Sequence, residues 1–173
     1  MNLLALTAAV VFVLDQLTKW LVLRFQPHEV SVIGKFFQLT YVTNRGAAWG
    51  VFSRAEYSNA ILAAFSIAAV LLLFGFRRAL AMEHLAQRLA LGLIAGGIFG
   101  NLADRIQHGS VVDFLDFYLG PWMGHWPAFN IADSAICVGV FVYLLLTLRG
   151  HAAEAHAVIK AHNAADDTAS GGK

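Results

Sequence analysis

The chain has 173 residues, 58% of them hydrophobic and 13% charged, against about 45–50% and about 25% in ordinary soluble domains. That excess excludes a typical water-soluble fold and points to lipid as the solvent. The net charge of +1 offers no broad basic field, which excludes nucleic acid as a partner. The lone cysteine, Cys137, cannot form an internal disulfide and reads as a small core residue within an apolar run.

Four apolar stretches approach the ~20 residues that cross ~30 Å of hydrocarbon. In chain order they run from about Leu3 to Leu23, Tyr57 to Phe76, Leu89 to Ile106, and Asn130 to Leu148. The first has no basic region before it, contains Asp15, Gln16 and Lys19, and is followed by no small-residue cleavage site. It therefore reads as a retained helix rather than a signal peptide. Arg77, Arg78 and Arg88 crowd the link between the second and third spans, and Arg149 and Lys160 follow the fourth. Arg24, Lys35, Arg45, Arg54 and Arg105 lie on the other side, more dispersed. The positive-inside rule then places both termini in the cytoplasm.

Two long segments, about 26–56 and about 107–129, face the outside in this topology. Within the first, Phe37 to Thr43 is β-branched and aromatic with partial alternation, which predicts a strand that pairs with Val30 to Ile33. The second holds Phe114, Phe117, Tyr118, Trp122, Trp126 and Phe129, residues that favour the headgroup level, so it is expected along the membrane surface. Residues 1–149 form the membrane domain. The tail, 150–173, is rich in Ala, His, Asp and Gly, has no large apolar face, and is expected to be disordered.

Ionisable groups at membrane depth each cost about 2.5–3.5 kcal/mol on insertion scales, so each needs a reason. Asp15 and Lys19 are four apart, on one face of the first helix, towards its outer end. Gly92, Gly96 and Gly100 on the third span make a doubled small-xxx-small pattern for close helix packing. The same helix then turns polar, with Asn101, Asp104, Arg105 and His108 on one face. The fourth span opens with Asn130, Asp133, Ser134 and Cys137 on one face, and Asp133 also suits a helix N-terminus. Between the two, Val111-Val112-Asp113-Phe114-Leu115 sets a carboxylate in an apolar run, followed by Asp116.

Several acids at one depth suggest paired-carboxylate chemistry. Two carboxyls ~3 Å apart cannot both ionise easily, so one keeps a proton while the other takes one from water. The water attacks an amide carbonyl, and no metal, cofactor or covalent intermediate is required. Asp104, Asp113 and Asp133 are the candidates, and spacing alone does not choose among them. No His-Glu-x-x-His zinc motif, Gly-x-Ser-x-Gly elbow or phosphate loop occurs, and His151-Ala-Ala-Glu154-Ala-His156 is one residue too long for an inverted zinc motif.

Five blocks in order carry a resemblance: Asp15-Gln-Leu-Thr-Lys19, Asn44-Arg-Gly-Ala-Ala-Trp49, Gly96-Gly-Ile-Phe-Gly-Asn-Leu-Ala-Asp-Arg105, Val111-Val-Asp-Phe114 and Pro127-Ala-Phe-Asn-Ile-Ala-Asp133. With four hydrophobic spans, the chain resembles the bacterial lipoprotein signal peptidases (signal peptidase II). The resemblance implies an all-α membrane protein of four transmembrane helices with a small extracytoplasmic β-cradle, and a mobile surface helix formed by the aromatic segment. It implies an aspartic endopeptidase of the inner membrane that cuts diacylglyceryl-modified prolipoproteins just before the lipidated cysteine and is inhibited by globomycin. It places the catalytic pair on Asp113 and Asp133. It gives Asp15, Lys19, Asn44, Gly46, Asn101, Asp104, Arg105 and Asn130 substrate-binding or site-bracing roles. A small proton-coupled carrier is the alternative, and it predicts polar groups through the full membrane depth.

Overall fold

The computed structural model describes residues 3–46, 57–75 and 84–170. Four helices form the membrane-spanning frame: α1 (Leu3–Phe25), α2 (Ser58–Gly75), α3 (Leu85–His108) and α4 (Ile131–Ser170). Spans of sufficient length and apolarity lie at Leu3–Phe25, Ser58–Gly75, Leu85–His108 and Ile131–Gly150. Their outward faces display groups such as Leu14, Phe65, Leu71 and Phe141, an arrangement suited to lipid because hydrocarbon does not penalise apolar exposure. The helix α3 is central: it packs against α1 on one side and α4 on the other, and α2 rests chiefly on it.

Glycines make that central position possible. A Cβ at Gly96 would lie 2.7 Å from both the Ala8 carbonyl oxygen and the Val11 Cβ, well inside the ~3.5–4.0 Å of normal carbon contact. One at Gly100 would collide with the Asp15 carboxylate, and one at Gly97 with the Ala132 carbonyl. The stripe foreseen in the sequence thus seats α1, while Gly97 on the adjoining face admits α4.

Beside the helix ends lies a four-stranded antiparallel sheet, β1 (Val30–Ile33), β2 (Phe37–Asn44), β3 (Val111–Tyr118) and β4 (His125–Phe129), ordered β1-β2-β3-β4. The expected first pair forms, with Val30 opposite Leu39 and Ser31 opposite Gln38. Val112 and Phe114 from the sheet pack with Val22 of α1, fixing the sheet to the outer end of that helix. Gly109, left-handed at φ 67, caps α3 through its N–H to the Arg105 carbonyl and turns the chain into β3.

One expectation needs correction. The surface helix expected in 107–129 is absent there: β3 and a turn lead into β4. The run Val-Val-Asp-Phe-Leu-Asp-Phe-Tyr combines β-branched and aromatic residues, and a free edge of β2 offers it hydrogen bonds. The sheet is accordingly larger than a β1–β2 pair, while the expected frame of four spanning helices with a small sheet stands. Through the tail, α4 continues to Ser170. Its alanines have the highest helix propensity, and a helix already nucleated in the membrane extends at little cost. Arg54, Arg77, Arg78 and the motif residues Ala47 to Trp49 lie outside the described residues.

Substituting Gly96 by Ala should destabilise the protein by about 1–3 kcal/mol through overpacking, read by denaturant titration in micelles. Gly150→Ala, where a Cβ meets nothing within 4 Å, should not destabilise. Equal stability of the Gly96→Ala variant and wild type would contradict the close α1–α3 approach.

Candidate active site

The polar residues of α1 and α3 form a buried ionic cluster. Lys19 is 2% exposed and Asp15 fully buried. The Lys19 ammonium lies 2.9 Å from Asp15 Oδ2 and 3.0 Å from Asp104 Oδ2, and donates to Asn101 Oδ1 at 2.9 Å. Three donors on the ammonium meet three acceptors, which satisfies the charge in a dry setting. Gln16 adds amide hydrogen bonds to Asp15 Oδ2 at 3.2 Å and Asp104 Oδ1 at 3.0 Å.

Each cluster acid also captures a backbone N–H. Asp15 Oδ1 accepts from Ala132 N at 2.9 Å, and Asp104 Oδ2 from Val112 N at 3.0 Å. Those residues immediately precede Asp133 and Asp113. The cluster therefore fixes the backbone from which both acids project.

Asparagines carry the arrangement to the two carboxyls. Asn130, fully buried at the start of α4, donates to Asp113 Oδ1 at 2.7 Å and Asn101 Oδ1 at 3.2 Å. Its own Oδ1 accepts from Asp133 N at 2.9 Å. Asn44, at the end of β2, donates to Asp113 Oδ2 at 3.0 Å. Asn101 donates to Asp133 Oδ1 at 2.7 Å. Gly46 N caps the Asn44 side-chain oxygen at 3.0 Å and so fixes which end of that amide faces Asp113.

Asp113 and Asp133 both line one cavity of about 450 Å³. Asn44, Gly46, Asn101 and Arg105 line it too, whereas Asp15, Lys19, Asp104 and Asn130 stand behind it. Burial pushes the Asp113 carboxyl from 3.8 up to about 7, and the nearby Asp133 charge adds to the rise. The Asn44 and Asn130 amides and the Lys19 charge pull the other way. One position in the cavity thus keeps a carboxyl proton to near neutrality, a property suited to general acid chemistry.

Some sequence-level candidates fall elsewhere. Asp116 pairs with His125 at 2.9 Å on the sheet, and His108 is exposed at the end of α3. Cys137 is exposed and lines the cavity instead of sitting in a core, because the face of α4 bearing Asp133 borders that space. Sequence reasoning assigned no role to Gln16 or to the wall formed by Trp126 to Phe129. Gln16 lies inside the Asp15-to-Lys19 block, so that block was its signal. Ser58 and Asn59, at the start of α2, donate to the carbonyls of Arg45 and Arg105, at 2.9 and 3.2 Å.

The family model for signal peptidase (SPase) II matches residues 7–149. The lipoprotein signal peptidase of Syntrophotalea carbinolica is 44% identical over 150 residues, covering 86% of this chain and 92% of that one. That of Nitratidesulfovibrio vulgaris is 45% identical over 146 residues, covering 82% and 87%. Two solved structures of a bacterial membrane enzyme, at 2.3 and 1.9 Å resolution, superpose with TM-scores of 0.73 and 0.71 at 31% and 32% identity. They cover 83% of this chain in each case, and 86% and 90% of their own. The chain belongs to the signal peptidase II family and is a peptidase.

Proposed function

We propose that this chain removes signal peptides from diacylglyceryl-modified prolipoproteins as an aspartic endopeptidase, with Asp113 and Asp133 as its catalytic pair. The observation that carries the reading is that both acids line one cavity, each held by asparagine amides. The named relatives are lipoprotein signal peptidases, which supports the substrate class.

Asp113 is assigned as the acid, since its carboxyl is pushed up to about 7. Asp133 is assigned as the base: its Oδ1 and Oδ2 accept hydrogen bonds from the Asn101 amide and from Asn130 N, which aim it into the cavity beside Asp113. A water between them gives a proton to Asp133, and its oxygen attacks the scissile carbonyl carbon. Asp113 protonates the carbonyl oxygen, yielding a neutral tetrahedral diol. Asp133 then returns its proton to the amide nitrogen, Asp113 recovers its own from the diol, and the C–N bond breaks. The atoms balance as hydrolysis, and the pair ends as it began.

The cleaved bond precedes the lipidated cysteine. Lipid holds that bond at headgroup depth, where the polar ends of α3 and α4 meet it. Arg88 and Arg149 lie at the opposite ends of those two membrane spans, which supports cytoplasmic termini in the inner membrane and a site near the periplasmic face. Globomycin inhibition is part of the same proposal. The polar groups gather at one end of the bundle, which gives the carrier alternative no path across the membrane.

Asp113→Asn and Asp133→Asn should each lower turnover of a diacylated precursor by about a hundredfold or more while the protein still inserts. A non-diacylated precursor should be a poor substrate. Wild-type turnover in either variant would overturn the pair.

The raised Asp113 carboxyl also sets a pH dependence of stability. Unfolded, this group loses its proton near 3.8; folded, it holds the proton to about 7. The native state binds more protons across that window, so this contribution falls as pH rises through it. Denaturation in micelles should show wild type losing stability relative to Asp113→Asn across the window. A constant difference between the two would contradict the shift.

A further inference from the structure

The cavity wall Trp126 to Phe129 belongs to β4, the edge strand of the sheet. Its backbone attachment is sparse. The register to β3 slips between Leu115 and Phe117, leaving a bulge where Asp116 sits. Pro127 has no N–H and cannot donate to the ladder. Such a strand needs side-chain contacts to hold its place.

Contacts at both ends of the strand contribute to this. Phe129 stacks on Phe117 of β3, with ring centroids 5.7 Å apart and planes 13° apart. At the other end, His125 Nδ1 lies 2.9 Å from both carboxylate oxygens of Asp116, and its ring rests 5.1 Å from that of Tyr118. A carboxylate only accepts, so Nδ1 carries the proton and donates. Neither Asp116 nor His125 lines the cavity.

We propose that the Asp116–His125 pair is a positioning device that holds the β4 wall against the bound substrate. It acts through Trp126 to Phe129 and touches no reacting atom. This rests on the peptidase reading above. Because the wall binds and does not react, loss of the pair weakens substrate binding and spares the chemical step. Asp116 thereby gains a role quite apart from that of Asp113 on the same strand.

The test is steady-state cleavage of a synthetic diacylglyceryl-modified precursor peptide in micelles by wild type, Asp116→Ala, His125→Ala, the double variant and His125→Asn. Each single alanine variant should raise KM about three- to fivefold, the size of a partly exposed ion pair, with kcat unchanged. The double variant should be no worse than either single. His125→Asn should restore the wild-type KM, because its amide nitrogen is attached at the same carbon as Nδ1 and donates at the same reach. Unchanged KM in the single variants, additive losses in the double, a fall in kcat, or no rescue by asparagine would each overturn the proposal. Failure of wild type to cleave would refute the peptidase reading itself, a separate outcome.

Discussion

A buried ammonium group, Lys19 Nζ, joins two helices that are far apart in sequence, α1 and α3. An ion removed from water is tolerated only when its partners compensate it, and removing one partner from a buried cluster costs several kcal/mol. Here the partners are Asp15, Asp104 and Asn101. They are also the groups that hold Ala132 N, Val112 N and Asp133 Oδ1. The same contacts that neutralise the charge therefore set the strand and the helix from which the two cavity acids project. Stability of the fold and geometry of the site are one network.

Lipid explains why this network is so complete. In hydrocarbon the cost of an unpaired polar group is not relieved by water, so a polar site must be internally saturated except where substrate enters. Carboxyl oxygens of Asp113 and Asp133 accept from asparagine amides, and the free volume lies on the side bounded by Arg105 and β4. Close glycine contacts along α3 bring α1 and α4 near enough for a lysine and short acids to meet. A wider helix spacing would leave the ammonium short of its partners.

Much of this was legible in the sequence. The four spans, the glycine stripe, the β1–β2 pair and the polar faces followed from hydropathy, spacing and β-branched composition. Periodicity left Asp104, Asp113 and Asp133 open, because it places residues on a face without stating which neighbour that face meets. The structure separates them: Asp104 is paired with Lys19 behind the cavity, whereas the other two line it. The Asp15–Lys19 spacing looked like a local pair, and its reach to α3, β3 and α4 depends on tertiary packing. The 107–129 segment was misjudged because aromatic residues suit both a surface helix and a strand, and only the waiting edge of β2 decides.

The central claim is that one carboxyl in the cavity, that of Asp113, keeps its proton to near neutrality. Infrared difference spectroscopy of the protein in micelles, titrated through neutral pH, tests this directly. The account predicts a protonated-carboxyl band that disappears as pH passes about 7 and is missing in Asp113→Asn. A spectrum in which every carboxyl has already ionised well below neutrality would contradict it.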